Sequence, residues 1–267
     1  MKRFKNRVAL LPFSIALLTV VSFLINTTSA HRQNQPSPAT EREEAYRANN
    51  VGVALLEQFK YKEAGDAFKR ALQLEPKLTL ARINLGIALY NVPDLPGALR
   101  EMQSAIALAP AAPQPYYIIG LIAKTQNRAE DAIAAFQRVL KIDPNDVGTN
   151  VNLGQLYAQQ RKYSEALTVL RTALAAEPYN ATALYNLGTV LIRAGQRDEG
   201  QSVIKQFQEL RQRGSGSTIG TNYLEQGHYA EAIASTGAEP DLVDRTIPAV
   251  IFTDGTAAVL GSSQKAA

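Results

Sequence analysis

Asn50, Asn84, Asn152 and Asn186 stand at one place in a pattern that recurs every 34 residues, with Ile118 at the remaining occurrence. A carboxamide donates and accepts hydrogen bonds at once, so a row of them suits the alternating C=O and N–H of an extended peptide and ignores its side chains. Three residues further on come Val53, Ile87 and Leu121, followed by Gln155 and Thr189. Steps of three and four keep these positions on one helical face, which should be apolar first and polar later. Tyr117 and Tyr185, one residue before the asparagine position, could stack on ligand side chains or pack between units. This chemistry is recognition, not reaction. The chain has no cysteine, and its two histidines, His31 and His228, lie far apart in polar surroundings. No His-Glu-x-x-His, Gly-x-Ser-x-Gly, Walker or Cys-x-x-Cys sequence occurs. Gly214-Ser215-Gly216 follows a helical pattern instead of a strand, and its next glycine falls at Gly220, so it reads as a linker. We expect no enzyme activity, no metal and no cofactor.

The elements that must position the asparagines follow from the same period. Gly52, Gly86, Gly120, Gly154 and Gly188 are spaced by 34 residues, as are Pro76, Pro110, Pro144 and Pro178. Five units fit without gaps: 45–78, 79–112, 113–146, 147–180 and 181–214. In the first four, the glycine is matched by Ala64, Ala98, Ala132 and Ala166 in a second helix, and two small residues let antiparallel helices approach closely. Phe68, Met102, Phe136 and Leu170 follow four residues later, and Ala71, Ala105, Val139 and Ala173 complete a buried stripe. Each of these second helices should end before its X-Pro step, because the residue ahead of proline is pushed out of the helical region. A single unit cannot bury its apolar face and must stack on its neighbours. The fifth unit departs, with Gly200 for the alanine and an amphipathic closing helix from Arg197 to Gln212.

These residues resemble the tetratricopeptide repeat family, whose Leu-Gly, Ala, bulky apolar, Ala and Pro pattern is met from Val51-Gly52, Leu85-Gly86, Ile119-Gly120 and Leu153-Gly154 onward. The resemblance implies an all-α fold, a right-handed superhelix with the first helix of each pair lining a concave groove. The asparagine row is similar to that of the repeat region in O-linked N-acetylglucosamine transferases, which implies a groove for extended peptides. Asn49, Val53, Asn84, Gln114 and Ile118 stand where a carboxylate-clamp groove would need lysine and asparagine, so recognition of chaperone C-termini is not expected.

Residues 1–30 have the layout of a secretory signal: Lys2, Arg3, Lys5 and Arg7, then an apolar stretch from Val8 to Ile25, then Thr28-Ser29-Ala30. Cleavage would leave a mature chain starting near His31, and an uncleaved segment would serve as an inner-membrane anchor. Four of the 28 basic residues and none of the 24 acidic ones lie in this segment, so the rest is balanced at 24 against 24. A neutral chain lacks the general attraction for phosphate backbones that nucleic-acid binding needs. Residues 31–44 read as a flexible spacer.

Beyond the fifth unit, Gly220, Tyr223, Gly227, Tyr229 and Ala232 keep the internal spacings of the repeat, which predicts a partial sixth unit over 215–240 capping the stack. Residues 241–267 read as an extended tail. Within it, Phe252-Thr253-Asp254-Gly255-Thr256-Ala257 resembles the opening of FG-GAP type β-propellers that follow exported repeat arrays in bacteria. Two functions follow from the sequence. One is an exported, periplasmic or secreted scaffold that binds an extended segment of another protein in its groove. The alternative is the repeat arm of a propeller protein.

Overall fold

A computed structural model describes residues 38–235. Among the described residues, ten α-helices follow one another: α1 Pro38–Glu57, α2 Tyr61–Leu74, α3 Thr79–Asn91, α4 Leu95–Leu108, α5 Pro113–Thr125, α6 Ala129–Leu140, α7 Val147–Gln159, α8 Tyr163–Ala176, α9 Ala181–Arg193 and α10 Arg197–Gln212. Successive helices pair as five hairpins, each stacked on the next into a superhelix. The helices α3, α5, α7 and α9 start 34 residues apart, and α2, α4, α6, α8 and α10 keep the same step.

The small residues set the closeness of each hairpin. A Cβ added at Gly120 would stand 2.6 Å from the ring of Phe136, and one at Gly154 would stand 2.6 Å from Cγ of Leu170. Phe68, Met102, Phe136 and Leu170 are fully buried, as are Ala64, Ala98, Ala132 and Ala166. Glycine inside a helix costs about 1 kcal/mol relative to alanine, and here an added Cβ would overlap the facing Phe136 or Leu170 side chain, which would have to shift. Three helices begin on a side chain that accepts from their first turn: Asp94 from Gly97 N–H at 3.0 Å, Asp146 from Thr149 N–H at 2.7 Å and Asn180 from Ala183 N–H at 2.9 Å.

The structure departs from the sequence reading at both ends of the array. Part of the expected spacer is helical, since α1 begins at Pro38. Proline suits a first helical turn, where its missing N–H is no loss, and Glu41 complements the helix dipole there. The partial sixth unit is not a helix pair. Residues 213–235 contain only two single-turn 3-10 segments, Tyr223–Glu225 and His228–Ala230. Gly214, Gly216, Gly220 and Gly227 make this stretch a poor helix former, and three of them take positive φ, +63°, +106° and +102° for Gly214, Gly216 and Gly227. The signal, the first part of the spacer and the FG-GAP-like tail lie outside the described residues. Among the described residues, no helix is long and apolar enough to cross a membrane.

Candidate functional site

The first helices of the hairpins, α1, α3, α5, α7 and α9, carry the asparagine row, and residues 217–235 lie along it as a strap. The strap runs back along the array, from α9 to α1. It is pinned at its start by α9, where Ala181 N–H donates to the Ser217 carbonyl at 2.8 Å and Thr182 Oγ1 accepts from Ile219 N–H at 2.9 Å. At its end the asparagines hold its main chain. Asn84 Nδ2 donates to the Ile233 carbonyl at 2.8 Å while Asn84 Oδ1 accepts from Ile233 N–H at 2.7 Å. Asn50 repeats the arrangement on Ser235, with 2.9 Å in both directions. Residues two apart on an extended chain point their amides to the same side, so asparagines one repeat apart can take alternate residues. Asn49, fully buried, accepts from Asn84 Nδ2 at 2.8 Å and donates to the Ile233 carbonyl at 3.2 Å.

The apolar positions receive the strap's side chains. Val53, Ile87 and Leu121 belong to one buried cluster with Tyr223 and Ala230, and Tyr229, Ala232 and Ile233 pack against it. Tyr117 is fully buried, and its hydroxyl donates to the Gln226 carbonyl, which supplies the partner that a buried hydroxyl requires. Beside it Gly227 lies so close to Gly148 that a Cβ on Gly227 would stand 3.3 Å from the Gly148 Cα. Tyr229 donates to Asp143 Oδ2 at 2.8 Å, and Tyr223 Oη accepts from Ala232 N–H at 2.8 Å, closing the strap on itself. Burial raises the pKa of the Tyr117 hydroxyl well above the ordinary tyrosine value, and the Asp146 carboxylate adds to the shift.

The row is not used uniformly. Ile118, where the asparagines are interrupted, is fully buried in the core. Asn152 does not touch the strap's main chain. Its Nδ2 donates to Tyr117 Oη at 3.2 Å and to the Gly148 carbonyl at 2.8 Å, so it orients the tyrosine that does. The Lys124 ammonium donates to Asn152 Oδ1 and Gln155 Oε1, each at 2.6 Å, and desolvation lowers its pKa. Asn186 Nδ2 is buried with no partner. It lines a cleft of about 710 Å³ with Gln155, Tyr185, Phe207, Arg211 and Thr218, where the strap stands away from the helices. Tyr185 is 50% exposed and its ring lies 5.3 Å from that of Phe207, so it leans on α10 rather than on the strap.

Thus Asn50, Asn84, Val53, Ile87, Leu121 and Tyr117 converge on the strap, while Gln155, Tyr185 and Asn186 surround an open cleft. Sequence reasoning missed Asn49, Thr182 and Asp143 as contacts, and above all it missed the strap. The signal available was four glycines between residues 214 and 227, too many for a helix pair.

Comparison with known proteins places the array. Tetratricopeptide repeat family models match residues 46–78, 81–147, 123–172 and 158–213. Protein FlbA of Caulobacter vibrioides is 31% identical over 151 residues, which is 57% of this chain and 25% of FlbA. Human protein O-mannosyl-transferase TMTC3 is 27% identical over 128 residues, 47% of this chain and 14% of that protein. The chain therefore spans a quarter or less of these two relatives. Among solved structures, MamA from Desulfovibrio magneticus superposes with a TM-score of 0.57 at 19% identity, covering 64% of this chain and 96% of that one. YrrB, described as a TPR protein with an unusual peptide-binding site, gives 0.52 at 18% identity, covering 68% and 91%. At these identities the likeness is one of fold.

Proposed function

This chain belongs to the tetratricopeptide repeat family, whose superhelix is a protein-interaction scaffold, and we propose that it is an exported adaptor holding an extended segment of another protein in its concave groove. The supporting observation is the paired grip of Asn84 on Ile233 and of Asn50 on Ser235, in which each carboxamide satisfies both main-chain groups of one residue. Such a grip is indifferent to side chains, and Val53, Ile87 and Leu121 beside it supply the apolar selection. The unusual peptide-binding site described for YrrB is in keeping with this reading. Export rests on the basic start, the apolar stretch and the small residues of 1–30. Its consequence is a periplasmic or secreted protein whose mature chain starts near His31, which mass spectrometry of the envelope fraction would read directly.

The function is tested by crosslinking capture with the full chain, in the presence and absence of a synthetic peptide spanning residues 223–235. A groove partner is competed away by the peptide and is lost with the Asn50→Ala, Asn84→Ala chain. A partner recovered equally in all arms would overturn the groove and move recognition to the convex face.

A further inference from the structure

We propose that residues 227–235 are a tethered stand-in for the partner, so that the external segment carries the same chemistry and must displace the strap to bind. The proposal rests on the groove reading above and adds the partner's chemistry and a regulation of the site.

The strap has the properties of a replaceable ligand. Its grip at Asn84 and Asn50 falls on main-chain groups, which any extended peptide offers. It has no α-helix, and Leu224, Glu225, His228, Glu231 and Ala234 are exposed or half-buried, so it is held by the groove and not by a core of its own. A segment without a helix or sheet ladder of its own can leave the groove in a local opening, with the helices still folded. The glycines Gly214 and Gly216, both with positive φ, connect it to α10 through a short turn. A short tether keeps its effective concentration on the order of millimolar, and an outside segment competes against that.

The contacts also state what the outside segment looks like. At the place of Tyr229 it needs an aromatic ring against Tyr117, whose centroid is 6.2 Å away, with a donor for Asp143. Asp143 and the neighbouring Asp146 exclude an acidic residue there. The next residue is of alanine size, because Ala230 is fully buried. Three residues on comes an aliphatic side chain in the place of Ile233, packed on the cluster of Val53 and Ile87. Neither the Ile233 place nor the Ser235 place can hold proline, since each main-chain N–H is bound.

The test titrates a labelled peptide of residues 227–235, Gly-His-Tyr-Ala-Glu-Ala-Ile-Ala-Ser, against the full chain and against its Tyr229→Ala, Ile233→Pro variant, with fluorescence anisotropy as readout. The variant should bind the peptide at least about tenfold more tightly, because its own strap no longer withholds the site. In the unaltered chain, excess peptide should accelerate hydrogen exchange at the Ile233 and Ser235 amides of the chain itself. This second readout decides the matter even if the variant folds poorly. Equal affinity for the two folded chains, or binding with no change at those amides, overturns the stand-in and leaves the groove reading intact. No binding to either chain overturns the groove reading and the stand-in with it.

Discussion

Asn84 and Ile233, separated by 149 positions in the chain, exchange two hydrogen bonds of 2.8 and 2.7 Å. The pair ties the first half of the array to the segment that follows the last helix. Asn84→Ala removes both bonds and the one to Asn49, and it leaves groups behind in a partly buried place. At about 1 kcal/mol for each bond, a loss of about 2–4 kcal/mol is expected in urea unfolding. Asn186→Ala is the control, because Asn186 Nδ2 has no partner to lose. Removing this unsatisfied buried donor should leave stability unchanged or raise it. A large loss at Asn186 or none at Asn84 would contradict the contacts described.

The contrast between those two asparagines shows where the sequence was legible. Both stand at the same place in their units, so periodicity treats them alike, and it yields an all-α array of helix hairpins stepped by 34 residues. What separates them is the course of the strap, which passes over Asn84 and stands off from Asn186. That course depends on contacts between residues more than a hundred positions apart, such as Tyr117 with Gln226. No local pattern encodes them. The spacing of Gly220, Tyr223, Gly227 and Tyr229 imitates a repeat, and the strap uses the same residue types for other ends: glycines for close approach, tyrosines to fill apolar positions of the groove. Pro38 misleads in the opposite direction, since proline and polar neighbours read as spacer until the first helical turn is seen to accept them.

Helix closeness gives a prediction with two signs. Gly120→Ala places a methyl 2.6 Å from the Phe136 ring, and the overpacking should cost about 1–3 kcal/mol. Gly65→Ala, in α2, meets its nearest neighbour, Leu85 Cδ1, at 3.9 Å, an ordinary contact. There the gain in helix propensity stands alone, so stability should rise by up to about 1 kcal/mol. Thermal unfolding of the two variants beside the parent chain checks both. Similar effects from the two would mean that the hairpin spacing is not set by the repeat glycines.

Alkaline pH should loosen the strap. Tyr117, Tyr223 and Tyr229 all have pKa values raised above the ordinary 10.0, with burial the first cause in each. For Tyr229 the hydrogen bond to Asp143 and the Asp143 and Asp146 charges add to the rise. A raised folded-state value means that the folded chain keeps these protons after the unfolded chain has lost them. Their contribution to stability is therefore whole below pH 10.0 and is lost as pH climbs through the folded values. Lys124 has the opposite sign: desolvation lowers its folded value below 10.5, so the unfolded chain holds this proton longer and stability rises with pH across that window. Its two partners are Asn152 and Gln155, neither of them in the strap. Strap release should thus follow the tyrosines. In a titration followed by tyrosinate absorbance, Tyr117, Tyr223 and Tyr229 should ionise above the ordinary tyrosine range and cooperatively. Tyr229→Phe removes one of the three titrating groups along with the Asp143 hydrogen bond. It should lower stability at neutral pH by about 1 kcal/mol and flatten the alkaline decline. An unchanged decline in that variant would show that Tyr229 does not titrate with the strap and that the alkaline transition belongs to the helices.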